Sequence, residues 1–208
     1  MKRIPTPHEL KQSDILKQVH LVLGDEYLTI EVKELHIIDD IQNEITEVRY
    51  DARIGEITQT IHSKGRGVVD ALFQSLKMTL CSRYLSLEEI AFEDFGLSVD
   101  PTTRRKKEGT DVHVRIDVIV SNSRSTNHHF YAEAPSFNIA AARAVFQAVE
   151  FYVNCEIAVI KLSEWIVEAK ARNRTDLETR YVRLLSEIVC STSHVKSISE
   201  WKKRTSYN

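Results

Sequence analysis

At 208 residues the chain has room for one large domain, or two tightly packed halves, around a real core. Hydrophobic residues make up 42% and charged residues 28%, ordinary for a soluble globular protein, and the formal charge of −2 gives no reason to expect a polyanionic partner such as nucleic acid. No apolar run nears the roughly 18 residues that span a bilayer, and Met1-Lys2-Arg3-Ile4-Pro5 has no apolar stretch behind its basic residues, so neither a membrane span nor a secretory signal is expected.

In chain order, Thr6-Pro7-His8-Glu9 reads as an N-cap, a proline at the first helical position and a capping-box glutamate. A helix should follow to about Leu23, with Leu16, Val19 and Leu23 inward and Gly24 ending it. Leu28, Ile30 and Val32 alternate with polar residues, a half-buried strand, and Val48, Tyr50, Ala52 and Ile54 repeat the pattern. Gly55-Glu56 is a tight connection into a third strand over 57–61. That strand feeds Gly65-Arg66-Gly67, a corner that opens a helix whose residues 69, 72, 73, 76 and 80 share one apolar face.

A second unit follows in the same order. Ile90 and Phe92 begin an alternation that slips at Glu93-Asp94 and resumes with Phe95, Leu97 and Val99, as a β-bulge would explain. Ser86-Leu87-Glu88-Glu89 reads alternatively as the start of a short helix. Residues 101–109 are a polar, basic loop. Val112, Val114, Ile116, Val118 and Val120 form the cleanest strand, residues 122–127 a hairpin turn, and Phe130, Ala132 and Ala134 a strand running into a second corner at Pro135-Ser136. The next helix presents 142, 145, 146, 149 and 153 on one face and meets no breaker before Ala169. Thr175-Asp176-Leu177-Glu178 is a capping box for a last helix with Leu177, Tyr181, Leu184, Leu185 and Ile188 inside, and the tail from Ser193 is polar and basic. A shift of 73 residues lays 70–74 over 143–147 with the apolar phase kept. The expected fold is α+β: two β-β-β-α units, at 25–84 and 86–158, of antiparallel strands with helices on one face, plus a terminal helix at each end, 159–208 being a helical extension of one 1–208 domain.

These stretches resemble a known family, the C-terminal regulatory (allosteric and dimerisation) domain of 2-isopropylmalate synthase and citramalate synthase. Gly65-Arg66-Gly67-Val68-Val69-Asp70-Ala71 is similar to that family's G-x-G-P-V-D-A, Phe92-Glu93-Asp94-Phe95-Gly96-Leu97 to its L-x-D-Y-x-V, and Gly109-Thr110-Asp111 to a third element, together covering about 25–158. The chain departs from it in having Val68 for proline, Phe95 for tyrosine, and neither a glycine nor an acidic residue at the second corner. The resemblance implies a non-catalytic regulatory domain linked to leucine biosynthesis. It implies a homodimer that binds a branched-chain amino acid, leucine or isoleucine, alone or beside a separate catalytic subunit. Family enzymes carry a catalytic barrel with a metal-binding H-x-H pair; this chain has neither the length for the barrel nor any H-x-H, so acyltransferase activity is not expected. The alternative is a protein-interaction scaffold that kept the fold and lost the effector.

Both corners end strands and begin helices, so N–H groups and helix dipoles converge in a way that suits a small carboxylate. Val68, Phe95 and Ile139 would supply the apolar wall. Laid over these positions, the resemblance gives an effector site at Gly65, Gly67, Val68, Asp70, Ala71, Asp94, Phe95, Ser136, Asn138 and Ile139. The plain reading of the same corners is tight turns holding helices on sheets, and Asp70 equally complements a helix dipole. His128-His129 cannot readily share a metal because neighbouring strand residues point to opposite faces, so a solvated strand end is expected. Arg104-Arg105-Lys106-Lys107 has no interleaved aromatic residues and reads as a solvated loop. Three cysteines, Cys81, Cys155 and Cys190, far apart in sequence, read as reduced, packed thiols of a cytoplasmic protein. No catalytic constellation, metal site or cofactor is expected.

Overall fold

The computed structural model describes residues 7–99, 113–192 and 199. Thr6, the 101–109 loop, Val112 and the basic run at 104–107 lie outside the described residues, as does the tail from Ser193 apart from Ser199. The elements run α1 (Pro7–Leu23), β1 (Ile30–Asp40), β2 (Ile45–Ile54), β3 (Ile57–Gly65), α2 (Val68–Leu80), β4 (Ala91–Val99), β5 (Val114–Ser121), β6 (Asn127–Ala134), α3 (Phe137–Ala171) and α4 (Thr175–Thr192). The fold is α+β. Two separate antiparallel sheets, β1-β2-β3 and β4-β5-β6, each feed a helix that packs back on them.

Alternation decides which face each strand buries. In β2, Val48, Tyr50, Ala52 and Ile54 are all buried, and in β5 Ile116, Val118 and Val120 are fully so. The phase slip at Glu93-Asp94 is a bulge between Phe92 and Asp94. The short-helix reading of 86–89 also has its counterpart, a 3-10 turn at Leu85–Glu88 just before β4. β1 extends eight residues' worth of chain beyond Val32, to Asp40, because a second bulge between Val32 and Leu35 breaks the alternation and restarts it with Leu35 and Ile37 inward. Each unit thus opens on a bulged edge strand.

The sequence overlay of the two halves is one helical turn out. α2 starts at Val68 and α3 at Phe137, so matching the corners needs a shift about four residues smaller than 73. With 3.6 residues per turn, apolar faces match nearly as well after a one-turn slip. α4 likewise opens one residue earlier than the capping-box reading: Glu178 N–H donates to Arg174 C=O, which makes Arg174 the N-cap.

The helices meet across the halves. Leu72 and Leu76 of α2 are fully buried, and so are Ala141, Ala144, Val145, Ala148 and Val149 of α3, where small side chains admit close approach. Each helix also holds the start of the other unit's first strand. Lys77 Nζ donates to Ile90 C=O ahead of β4 (2.7 Å). From α3, Asn154 brackets Leu28, accepting its N–H (2.7 Å) and donating to its C=O (2.8 Å). Glu150 Oε1 accepts the Ile30 N–H (2.6 Å), and buried Glu156 accepts the Leu85 and Ser86 N–H groups. α3 runs unbroken through 158–159 and folds back at Asn173 onto α4, with Trp165 against Tyr181.

Candidate functional site

The two corners solve the same turn with different chemistry. Gly65 ends β3 under the first turn of α2; a Cβ there would lie 2.5 Å from Ala71 N and 2.7 Å from Asp70 Oδ2. Gly67 has φ +110°, a conformation open to glycine and little else. Asp70 reaches back so that Oδ2 accepts the Arg66 N–H (2.9 Å). At the second corner Ser136 sits in ordinary extended backbone (φ −120°, ψ 137°), which is why no glycine is needed there. Neither Gly67 nor Ser136 caps its helix with a side chain. The N–H groups of Val68 and Val69, and of Phe137 and Asn138, come before the first intrahelical bonds, Ala71 N–H to Gly67 C=O and Ala140 N–H to Ser136 C=O.

Between the corners lies a cleft of about 360 Å³. The ends of β1 and β2 form one side, with Ile37, Asp39 and Thr46; the α2 corner gives Arg66, Gly67, Val68, Val69 and Asp70. Phe92 and Phe95 of β4 and Phe137 and Asn138 of α3 close the other side. The Phe92 and Phe95 rings stack with centroids 6.4 Å apart, and Phe73 backs Phe92 at 6.0 Å. One polar side with helix N–H groups that no side chain of the N-cap residues caps, and one aromatic wall, is a combination suited to a small amphiphilic ligand.

Of the residues expected at an effector site, Gly67, Val68, Asp70, Phe95 and Asn138 line this cleft together. Gly65 and Ala71 lie behind it, as the packing contact that sets the corner. Ser136 is the N-cap beside it. Asp94 points away from the inner face that Phe95 shares with Val118, and it bonds the Phe95 N–H. Ile139 is 46% exposed and off the lining; Phe137 takes its place, since two residues apart on a helix is about half a turn. Sequence reasoning missed Ile37, Asp39, Thr46, Arg66, Val69, Phe92 and Phe137. For Ile37 and Asp39 the signal was the phase restart at Leu35.

His128 corrects the solvated strand end. It is 1% exposed, its Nδ1 2.8 Å from Tyr152 Oη and its Nε2 3.2 Å from Ser191 Oγ, tying β6 to α3 and α4. His129 is exposed on the opposite face. Gln12 brackets the His129 backbone, accepting its N–H and donating to its C=O, and so blocks part of the β6 edge. Cys155 is buried, and burial pushes its thiol up; Cys81 is half-buried, and Cys190 is exposed instead of packed. A larger concavity, about 870 Å³, covers the outer face of β1-β2-β3, but it is lined by alternating charges such as the Glu31–Arg53 pair and reads as a solvated sheet face. Among the described residues there is no cluster of three or more potential metal ligands, and no helix is long and apolar enough to cross a membrane.

In comparisons with known proteins, no family model and no curated protein matches the chain. Fold and site define a doubled β-β-β-α protein with one cleft set between its two strand-to-helix corners.

Proposed function

We propose that the protein is a non-catalytic regulatory module that binds a branched-chain amino acid, leucine or isoleucine, in the cleft between its corners. The carrying observation is the convergence of two uncapped helix N-termini with the Phe92, Phe95 and Phe137 wall around one cleft of about 360 Å³. The N-termini suit a carboxylate and the rings an aliphatic side chain. The resemblance to the regulatory domain of 2-isopropylmalate synthase supports the same ligand class, a homodimer, and a role beside a separate catalytic subunit. For the dimer, the surface on offer is β4, where Phe95, Leu97 and Val99 are 46%, 57% and 50% exposed on one face.

A thermal-shift screen of the twenty amino acids tests this, because a ligand that binds only the folded state raises its stability. Leucine or isoleucine should raise Tm, and charged amino acids should not. If none of the branched-chain amino acids shifts Tm at millimolar concentration, the reading gives way to a protein-interaction scaffold. Light scattering at micromolar concentration should give the dimer mass.

A further inference from the structure

We infer that Asp39 selects the free ammonium group of the cleft's ligand, an inference that rests on the amino-acid reading above. Its first support is how Asp39 comes to face the cleft. In β1 the inward positions run Ile30, Val32, then Leu35 and Ile37 after the bulge, and Asp39 continues that phase into the lining. Without the bulge a one-residue slip would turn Asp39 outward. Bulges recur beside binding sites because they re-aim a side chain in this way. The neighbouring Asp40 has the opposite fate: its carboxylate accepts the Gln42 and Asn43 N–H groups and the Asn43 side-chain amide, and so only closes the turn.

The second support is how Asp39 is held. Thr46, 6% exposed, donates its hydroxyl to Asp39 Oδ1 at 2.6 Å. Among the described residues no hydrogen bond or ion pair occupies Oδ2, which leaves an exposed carboxylate, anchored through Oδ1, with one oxygen for a ligand. The other acid on the lining, Asp70, also has one oxygen taken, by the Arg66 N–H, but it sits in the first turn of α2, where its charge already complements the helix N-terminus. On the same side of the lining as Asp39, Arg66 and the helix N–H groups favour an anion. The register sets Asp39 beside Thr46 and Thr46 beside Gly65, so the carboxylate and the Arg66 corner share the polar side of the cleft and face the aromatic wall. That is the complement of an α-amino acid whose two charges share one carbon and whose side chain is apolar. A ligand lacking the ammonium would lose a charge-assisted hydrogen bond and bring its carboxylate near Asp39 uncompensated.

The test compares matched pairs by isothermal titration calorimetry: leucine against 4-methylpentanoate, and isoleucine against 3-methylpentanoate, on the full chain and on Asp39→Asn. Asparagine keeps an acceptor for Thr46, and circular dichroism with Tm checks that the variant folds. The unmutated protein should prefer the amino acid by roughly tenfold, the worth of one hydrogen bond to a charged group. In Asp39→Asn that preference should collapse to near unity, with the deaminated acid binding as well as before or better. A merely structural role would weaken both ligands alike and leave the ratio unchanged, which would overturn the inference while the amino-acid reading stands. Equal binding of the matched pair by the unmutated protein overturns it without any variant. Failure of leucine, isoleucine and valine to bind the unmutated protein would remove both readings together.

Discussion

The two corners make the most instructive comparison in the molecule. Both end an inner-facing strand, open a helix and border the same cleft. One is built from Gly65 and Gly67, the other from Ala134, Pro135 and Ser136. The difference follows from how close each helix sits to its strand. At the first corner the α2 backbone at Ala71 occupies the place of a Cβ on Gly65, and Asp70 ties the turn to the Arg66 N–H. At the second corner Ala134 is itself buried with a side chain, and Ser136 is unstrained. The glycine at 65 therefore reports local crowding and the one at 67 a positive φ, and their absence from the other corner says nothing against a shared site.

Substitutions sharpen that contrast. Gly65→Ala should be the most damaging, about 3 kcal/mol, because the backbone atoms it meets cannot rotate away; urea unfolding measures it. A second effect separates the cross-braces between the units. Burial pushes the Glu150 carboxyl from its ordinary 4.5 up to about 7, against the smaller opposing pull of the Ile30 N–H. At the other brace burial pushes the Lys77 ammonium down. For Glu150 the folded state holds its proton more tightly than the unfolded chain. Its contribution is thus fully present below pH 4.5 and lost as pH rises through about 7. Stability should fall on the order of 2 kcal/mol between pH 5 and 8 from this group, and Glu150→Gln, which keeps the acceptor for Ile30, should flatten that slope in denaturation measured across the range.

Two smaller effects complete the comparison. Gly67→Ala meets open space but a forbidden φ, so it should cost about 1.5 kcal/mol by strain alone, less than Gly65→Ala. Ser136→Ala at the matching N-cap removes no side-chain capping bond and should stay within about 0.5 kcal/mol. If Ser136→Ala proved as costly as Gly67→Ala, the contrast between the corners would be wrong.

Much of the fold is legible in the sequence because its strands are half-buried and alternate cleanly. The bulge in β4 could be read from Glu93-Asp94 because strong apolar residues flank it. The bulge in β1 escaped, since Lys33, Glu34 and His36 mask the restart at Leu35 and Ile37, and with it went Asp39. The repeat was legible in kind and not in register, because a helix carries its apolar face almost unchanged through a one-turn slip. His128 was misread because its partners, Tyr152 and Ser191, come from α3 and α4, and local polarity cannot announce a distant partner. Half of the expected effector positions meet at the cleft because the corners were recognised. Ile139 fails because the phase of α3 at its first turn depends on where the helix starts.

The central claim, that the cleft between the corners is the ligand site, is tested most directly by amide proton–nitrogen NMR spectra recorded while leucine and then isoleucine are added at millimolar concentration. Saturable shifts should appear at Val68, Val69, Phe137 and Asn138, with the hairpin around Ser125 and the outer face of β2 at Arg49 and Asp51 left unmoved. Spectra unchanged throughout, or shifts confined to that outer sheet face, would contradict it.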